Sequence, residues 1–276
     1  MRLVNPKIMG KIIPLFMRKC LAPFFIGREE PGLDRRTGPF DVVLPKDLVG
    51  TEPGSIRAIN QINCSIRDVV AETILSGDRP LVLSGDCLSA IGCLAGMEKC
   101  GIRPYLLWFD AHGDFHTPET TISGHLGGMP LAIITGRSDG SLLSDVGLTP
   151  LADDRVCLIG GRDLEPVERE SLEASGIRRV DRVAQALEFL PESSPLWVHF
   201  DTDYINPSDA PAMRYPAPGG ISAKAVKFDL ETIARKRNVL GLSVSAWAPH
   251  LDTGGRTAAT CWDTISIISL GSKNQR

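Results

Sequence analysis

The sequence predicts an α/β protein built on a mainly parallel β-sheet, and three observations carry that prediction. Five short apolar runs recur along the 276 residues, segments of helical spacing lie between them, and three of the runs end in acidic, imidazole or thiol groups. Apolar strands alternating with helices mark a sheet covered on both faces, because each parallel crossover lays a helix over the sheet. In chain order the strands are PLVLS (80–84), YLLWF (105–109), RVCLI (155–159), PLWVHF (195–200) and VLGLSV (239–244). The helical segments are Ile56 to Leu75, Glu168 to Ser175 and Ala223 to Lys236, where apolar residues recur at three- and four-residue steps. No internal repeat or low-complexity linker divides the chain, so residues 1–276 read as a single domain, with residues 1–30 a loosely attached N-terminal extension.

Composition narrows the function. Thirty basic against 33 acidic residues leave a formal charge of −3, which argues against a polyanion-binding surface and hence against nucleic acid as a partner. Seven cysteines without a CxxC pair indicate neither a disulfide framework nor a zinc ribbon, and fit a reducing cytoplasm. The amphipathic N-terminus is broken by Lys11, Arg18 and Lys19 and lacks a clean cleavage site. No other run approaches the roughly 18–20 apolar residues of a membrane span, so no membrane partner is expected. The GxGxxG and GxxxxGK[ST] nucleotide turns are absent.

The strand ends carry the chemistry. Strand 80–84 runs into GDC (85–87), strand 105–109 into DAHGD (110–114), and strand 195–200 into DTD (201–203). Ligands of open parallel sheets bind beyond the carboxyl ends of the strands, so these groups point to one convergent site. Alternate spacing in an extended segment places Asp110, His112 and Asp114 on one side, and Asp201 and Asp203 likewise. Four carboxylates in one cleft repel one another unless a cation neutralises them. Carboxylate-rich ligation with one imidazole suits Mn²⁺. The alternative is that these residues are helix caps and strand-end turns, where Asp is common.

The motifs around these residues resemble the ureohydrolases: arginase, agmatinase and formiminoglutamase. The stretches are SGDCLSAIG (84–92), FDAHGDFHTPETTISGHLGGMP (109–130), FDTDYINPSDAPA (200–212) and IGGRDLEPVE (159–168). They match the family's GGDH, DAHxD, DxDxxDP and GLRDxDxxE segments. The resemblance implies a three-layer α/β fold with a central, mainly parallel sheet, and a binuclear Mn²⁺ site that activates water against a guanidine-type carbon. It implies one metal at Asp110, His112, Asp201 and Asp203, and a second at Asp110, Asp114, Asp201 and the residue at position 87. It further implies substrate contacts from Thr121, Ser123, Glu165 and Glu168, a catalytic role for Asp114, and a homo-oligomer, trimer or hexamer.

This chain departs from the family at several positions. Cys87 replaces a metal-ligand His, which shifts preference towards Zn²⁺ or Fe²⁺ or leaves one ion where relatives hold two. The branch of the family that acts on hydroxylated arginine is similar in carrying Cys there. Gly127 stands where arginases have a proton-shuttling His, with His125 two residues away as a catalytic substitute. His116 and His125 stand where arginases hold the substrate carboxylate with Asn. Ser243 and Ala246 in GLSVSAWAP (241–249) replace the Asp and Glu of GLDxxExxP, with Asp252 a candidate acceptor should its loop fold back, and His199 reads as a packed strand residue. Two functions fit: a hydrolase of a linear C–N bond acting on a small guanidino, hydroxyguanidino, amidine or amide substrate, and a non-catalytic relative that keeps the fold for ligand binding, assembly or regulation.

Overall fold

A computed structural model describes residues 24–27, 40–43, 56–138 and 140–270. Its strands are β1 (Phe24–Gly27), β2 (Phe40–Val43), β3 (Leu81–Leu83), β4 (Tyr105–Asp110), β5 (Val156–Gly160), β6 (Arg178–Val180), β7 (Pro195–Asp201) and β8 (Asn238–Ser245). Its helices are α1 (Ile56–Leu75), α2 (Ser89–Lys99), α3 (Pro130–Ile134), α4 (Ser141–Val146), α5 (Pro166–Ala174), α6 (Val183–Phe189), α7 (Ala223–Lys236) and α8 (Arg256–Leu270). The strands form one sheet in the order β2-β1-β3-β8-β7-β4-β5-β6. The six from β3 to β6 pair in parallel, while β1 runs antiparallel to both β2 and β3.

All five expected strands are present, and their burial explains their legibility. Alternate residues of β4 enter opposite cores: Leu106 and Trp108 join one apolar cluster, Leu107 and Phe109 the other. A strand covered on both faces has no polar side to show, so the run is continuous. The helices at Ile56–Leu75 and Ala223–Lys236 have the expected bounds, and the third is Pro166–Ala174.

The sequence reading missed the short strands β1, β2 and β6, of which β2 and β6 are the sheet edges, and the helices α2, α3, α4, α6 and α8. Helix α2 hides behind Gly92 and Gly96, which are poor helix formers in isolation. Both let α2 approach α1: a Cβ at Gly92 would lie 2.5 Å from the Asn63 carbonyl oxygen, and one at Gly96 2.7 Å from Val70 Cβ. Of residues 1–30, Phe24–Gly27 pair with β3; residues 1–23 and 28–30, and with them most of the expected extension, lie outside the described residues. Among the described residues no helix is long and apolar enough to cross a membrane.

Sheet order positions the site. Strands β3, β8, β7 and β4 are consecutive neighbours, so their carboxyl ends, leading to Cys87, Ser245, Asp201 and Asp110, lie side by side at strand spacing.

Candidate metal centre

Tight turns, not extended alternation, gather the acidic groups. Strand β4 ends at Asp110, and Asp114 has φ 49°, a left-handed conformation that Asp tolerates better than most residues. Asp110 Oδ1 accepts the His112 N–H at 2.7 Å, folding the turn back on itself. After β7, Thr202–Tyr204 form a 3₁₀ turn, and Asp201 Oδ1 accepts the Asp203 N–H at 2.8 Å. Asp203 Oδ1 then ties the two turns together by accepting the Ala111 N–H at 3.0 Å.

Five of the six residues expected to hold metal fall into two overlapping groups, and Asp201 is tied to them only through hydrogen bonds to Cys87 and Asp203. His112 Nδ1 is 2.9 Å from Asp203 Oδ2 and 3.5 Å from Asp110 Oδ1. The Cys87 thiol donates to Asp201 Oδ2 at 3.0 Å. Donor atoms of Asp110, His112 and Asp203 lie within 4.8 Å of one another, as do those of Cys87, Asp110 and Asp114. Asp110 belongs to both groups. All four carboxylates are buried, and Asp114 Oδ2 has no hydrogen-bond partner.

Electrostatics follow from that crowding. Burial, then the charges of Asp110 and Asp201, push the Asp114 carboxyl well above its ordinary range. Burial raises Asp110, Asp201 and Asp203 as well, reinforced by one another's charge. Burial opposes the charged form of His112, but hydrogen bonds to Asp110 and Asp203 outweigh it and hold the imidazole up at about 12. Burial and the Asp201 charge push the Cys87 thiol well up.

The substrate-loop residues divide. His116 is buried, with Nδ1 3.2 Å from Thr120 Oγ1 and Nε2 3.4 Å from Glu165 Oε2 at the surface. Thr121 is half-buried and Ser123 exposed, and their hydroxyls accept the N–H groups of Gly124 and His125. Glu168 is buried behind the DAHGD turn, where Oε1 accepts the Phe115 N–H at 3.0 Å and the carboxyl leaves no room for a side chain at Gly113. Its position is that of a buttress for the turn. His125 Nδ1 accepts the Gly127 N–H at 2.9 Å, which leaves the neutral ring its proton on Nε2. A Cβ at Gly127 would lie 2.5 Å from His125 Cε1, so the His125 ring fills the space a side chain at 127 would enter. Tyr215, unmarked in the sequence, lies edge-on to that ring at 6.0 Å.

Ala246 offers no acceptor and holds φ 64°. Asp252 does not fold back towards the centre: its carboxylate accepts the Trp247 indole N–H and the N–H groups of Thr257 and Ala258, capping α8.

The model of the arginase family matches residues 29–268. The chain belongs to the arginase family. This arginase-family chain is 32% identical over 231 residues to an arginase of Bacillus caldovelox, covering 79% of this chain and 76% of that protein. Its structure is similar to the crystal structure of arginase from Bacillus subtilis, with TM-score 0.72 and 30% identity over 79% of this chain and 81% of that one. The arginase from Bacillus cereus gives TM-score 0.74 at 29% identity, over 80% and 81%. The arginase-like fold is thereby established, in a family of metal-dependent ureohydrolases.

The donor set fits the divalent cation that the family implies. A buried carboxylate oxygen without a partner, amid three further buried carboxylates, is costly alone and is satisfied by a cation. The pH dependence has a definite sign. A folded-state His112 held at about 12 against an ordinary 6.5 contributes stability that is complete below about 6.5 and is lost as pH rises. The raised carboxyls act in the same direction, being better protonated when folded. The metal-free protein is therefore expected to lose stability between pH 7 and 9, by up to about 1.4 kcal/mol per pH unit for one proton. Added Mn²⁺ displaces those protons, so its thermal shift grows over the same interval. A shift that shrinks with rising pH contradicts this assignment.

Proposed function

We propose that this protein is a metal-dependent hydrolase of a linear C–N bond, acting on a small hydroxyguanidino, amidine or amide compound and poorly on an ordinary guanidinium. The observation that carries the reading is the pairing of a buried cluster of acidic groups, arranged as two overlapping donor sets, with Ala in place of a carboxylate at position 246. Asp110, His112, Asp201 and Asp203 are assigned to one Mn²⁺. Asp110, Asp114, Asp201 and Cys87 are assigned to a second position, where the sulfur favours Zn²⁺ or Fe²⁺. Bound metal supplies water activation and polarisation of the electrophile.

The chain's own residues do the rest. The carboxylates orient the reacting face, and Asp114, with its unpartnered Oδ2, is the group placed to hold a proton during turnover. His125 is assigned to offer Nε2–H to the leaving group or substrate tail, and His116 and Glu165, 3.4 Å apart, to contact the substrate. Thr121 and Ser123 share one hydroxyl proton between them at 3.4 Å and keep the other for the substrate, and Glu168 fixes the turn that carries His112 and Asp114. A homo-oligomer and a reducing cytoplasm complete the reading; the six described cysteines are all free thiols.

Incubation with a panel of guanidino, hydroxyguanidino and amide compounds, with metal analysis of the protein, tests it. Stoichiometric metal with turnover of a hydroxyguanidino or amide compound, both abolished in Asp203→Ala, is the expected result. A metal-free protein inert to the whole panel favours the non-catalytic alternative. Cys87→His is expected to raise Mn²⁺ occupancy of the second position, since imidazole binds as a neutral donor without the proton loss of a thiol. An unchanged metal-to-protein ratio rejects Cys87 as the limiting group.

A further inference from the structure

The parallel register of β4, β7 and β8 builds a buried polar strip that the expected ligand set does not use. Register pairs His199 with Trp108 on one side and with Ser243 on the other, and Asp201 with Ser245. Gly241 has no room for a Cβ against Trp197, and the Trp197 indole packed there donates to Ser243 Oγ at 3.0 Å. His199 Nδ1 lies 2.8 Å from the same oxygen, and His199 Nε2 lies 3.3 Å from Ser245 Oγ. Ser245 Oγ is in turn 3.0 Å from Cys87 Sγ and 3.4 Å from Asp201 Oδ2.

One direction of this chain delivers a proton to the ligand end. An indole N–H can only donate, so Ser243 accepts from Trp197, and in that direction it gives its own proton to His199 Nδ1. The neutral ring then carries its proton on Nε2, donates it to Ser245, and leaves the Ser245 hydroxyl proton aimed at Cys87 and Asp201. The ring also stacks on Trp108 at 3.9 Å, whose indole donates to Asp110 Oδ2 at 3.1 Å. His199 thus braces two of the assigned ligand carboxylates, one through Ser245 and one through Trp108. Fully buried Ser243, Ser245 and His199 are costly in a strand core unless paired. The strip begins in that core and ends on the assigned metal ligands.

We propose that His199 and Ser245 are positioning residues that aim the Cys87 sulfur and Asp201 Oδ2 together at the cation. This rests on the metal-dependent reading above. The probe is Co²⁺, whose sulfur-to-metal charge-transfer absorption reports a cysteine ligand directly, with Cys87→Ser assigning the band. Wild-type protein is expected to show the band. Ser245→Ala and His199→Phe are expected to lose most of it and to bind Co²⁺ about 10–100-fold more weakly, the usual scale for groups that orient ligands. Ser245→Thr restores both. Wild-type Co²⁺ binding without the band, or Ser245→Ala with unchanged band and affinity, overturns the proposal while leaving the metal-dependent reading intact. Failure of wild-type protein to bind Co²⁺, Mn²⁺ or Zn²⁺ sinks that reading instead. Nitrogen-15 spectra of the metal-free protein then decide the relay alone: His199 protonated on Nε2 supports it, and protonation on Nδ1 overturns it.

Discussion

Asp114→Asn is expected to make the metal-free protein more stable while abolishing its response to metal. Asp114 sits buried among Asp110, Asp201 and Asp203, and its Oδ2 has no hydrogen-bond partner. Its carboxyl is pushed well above the ordinary range by burial first and by Asp110 and Asp201 next. Folding without a cation therefore works against a charge the site disfavours. Asparagine removes that charge at nearly constant volume, tolerates the left-handed φ of 49°, and can donate to the neighbouring carboxylates. A gain of about 1–2 kcal/mol corresponds to roughly 2–8 °C in melting temperature for a chain of this size. The same change deletes a metal donor, so the stabilisation by Mn²⁺ disappears and turnover with it. Such a trade of stability for function is common where like charges are gathered for a ligand. A variant that melts lower than wild type without metal, or still gains stability from Mn²⁺, removes Asp114 from the centre.

L-Arginine and agmatine are expected to release little or no urea. A guanidinium needs a charge-assisted acceptor, preferably bidentate, to be held facing the reacting groups. Position 246 is Ala, in a left-handed conformation with φ 64°. The nearest replacement by sequence, Asp252, is committed to three N–H donors at the start of α8. A buried guanidinium left without its acceptor costs about 1.5–3 kcal/mol. Position 127 compounds the loss, because the His125 ring occupies the space of the missing side chain. A hydroxyguanidine or amide, with less charge to neutralise, avoids the first cost. Turnover of L-arginine near 10 s⁻¹, a typical enzyme value, would falsify the substrate class proposed here.

The sequence by itself determined the α/β class, the five central strands and the strand ends where the acidic groups gather. The physical reason is that burial on both faces removes polar residues from a strand, so charge reappears abruptly where the strand leaves the core, as at Phe109–Asp110 and Phe200–Asp201. The family motifs extended this to Cys87 and to the loop from His116 to His125. Only the tertiary structure decided how the groups meet. Asp110, His112 and Asp114 come together through a turn containing a left-handed residue, not through strand alternation, and a turn's hydrogen bonds are not visible in residue spacing. Glu168 reads in sequence as a substrate contact at the start of a helix, yet it lies under the turn, holding the Phe115 N–H. His199 and Ser245 are 46 positions apart and carry no motif; the register between β7 and β8 places His199 beside Ser243 and Asp201 beside Ser245. Pairing register follows from how whole strands bury their faces, so no local stretch of either strand contains it.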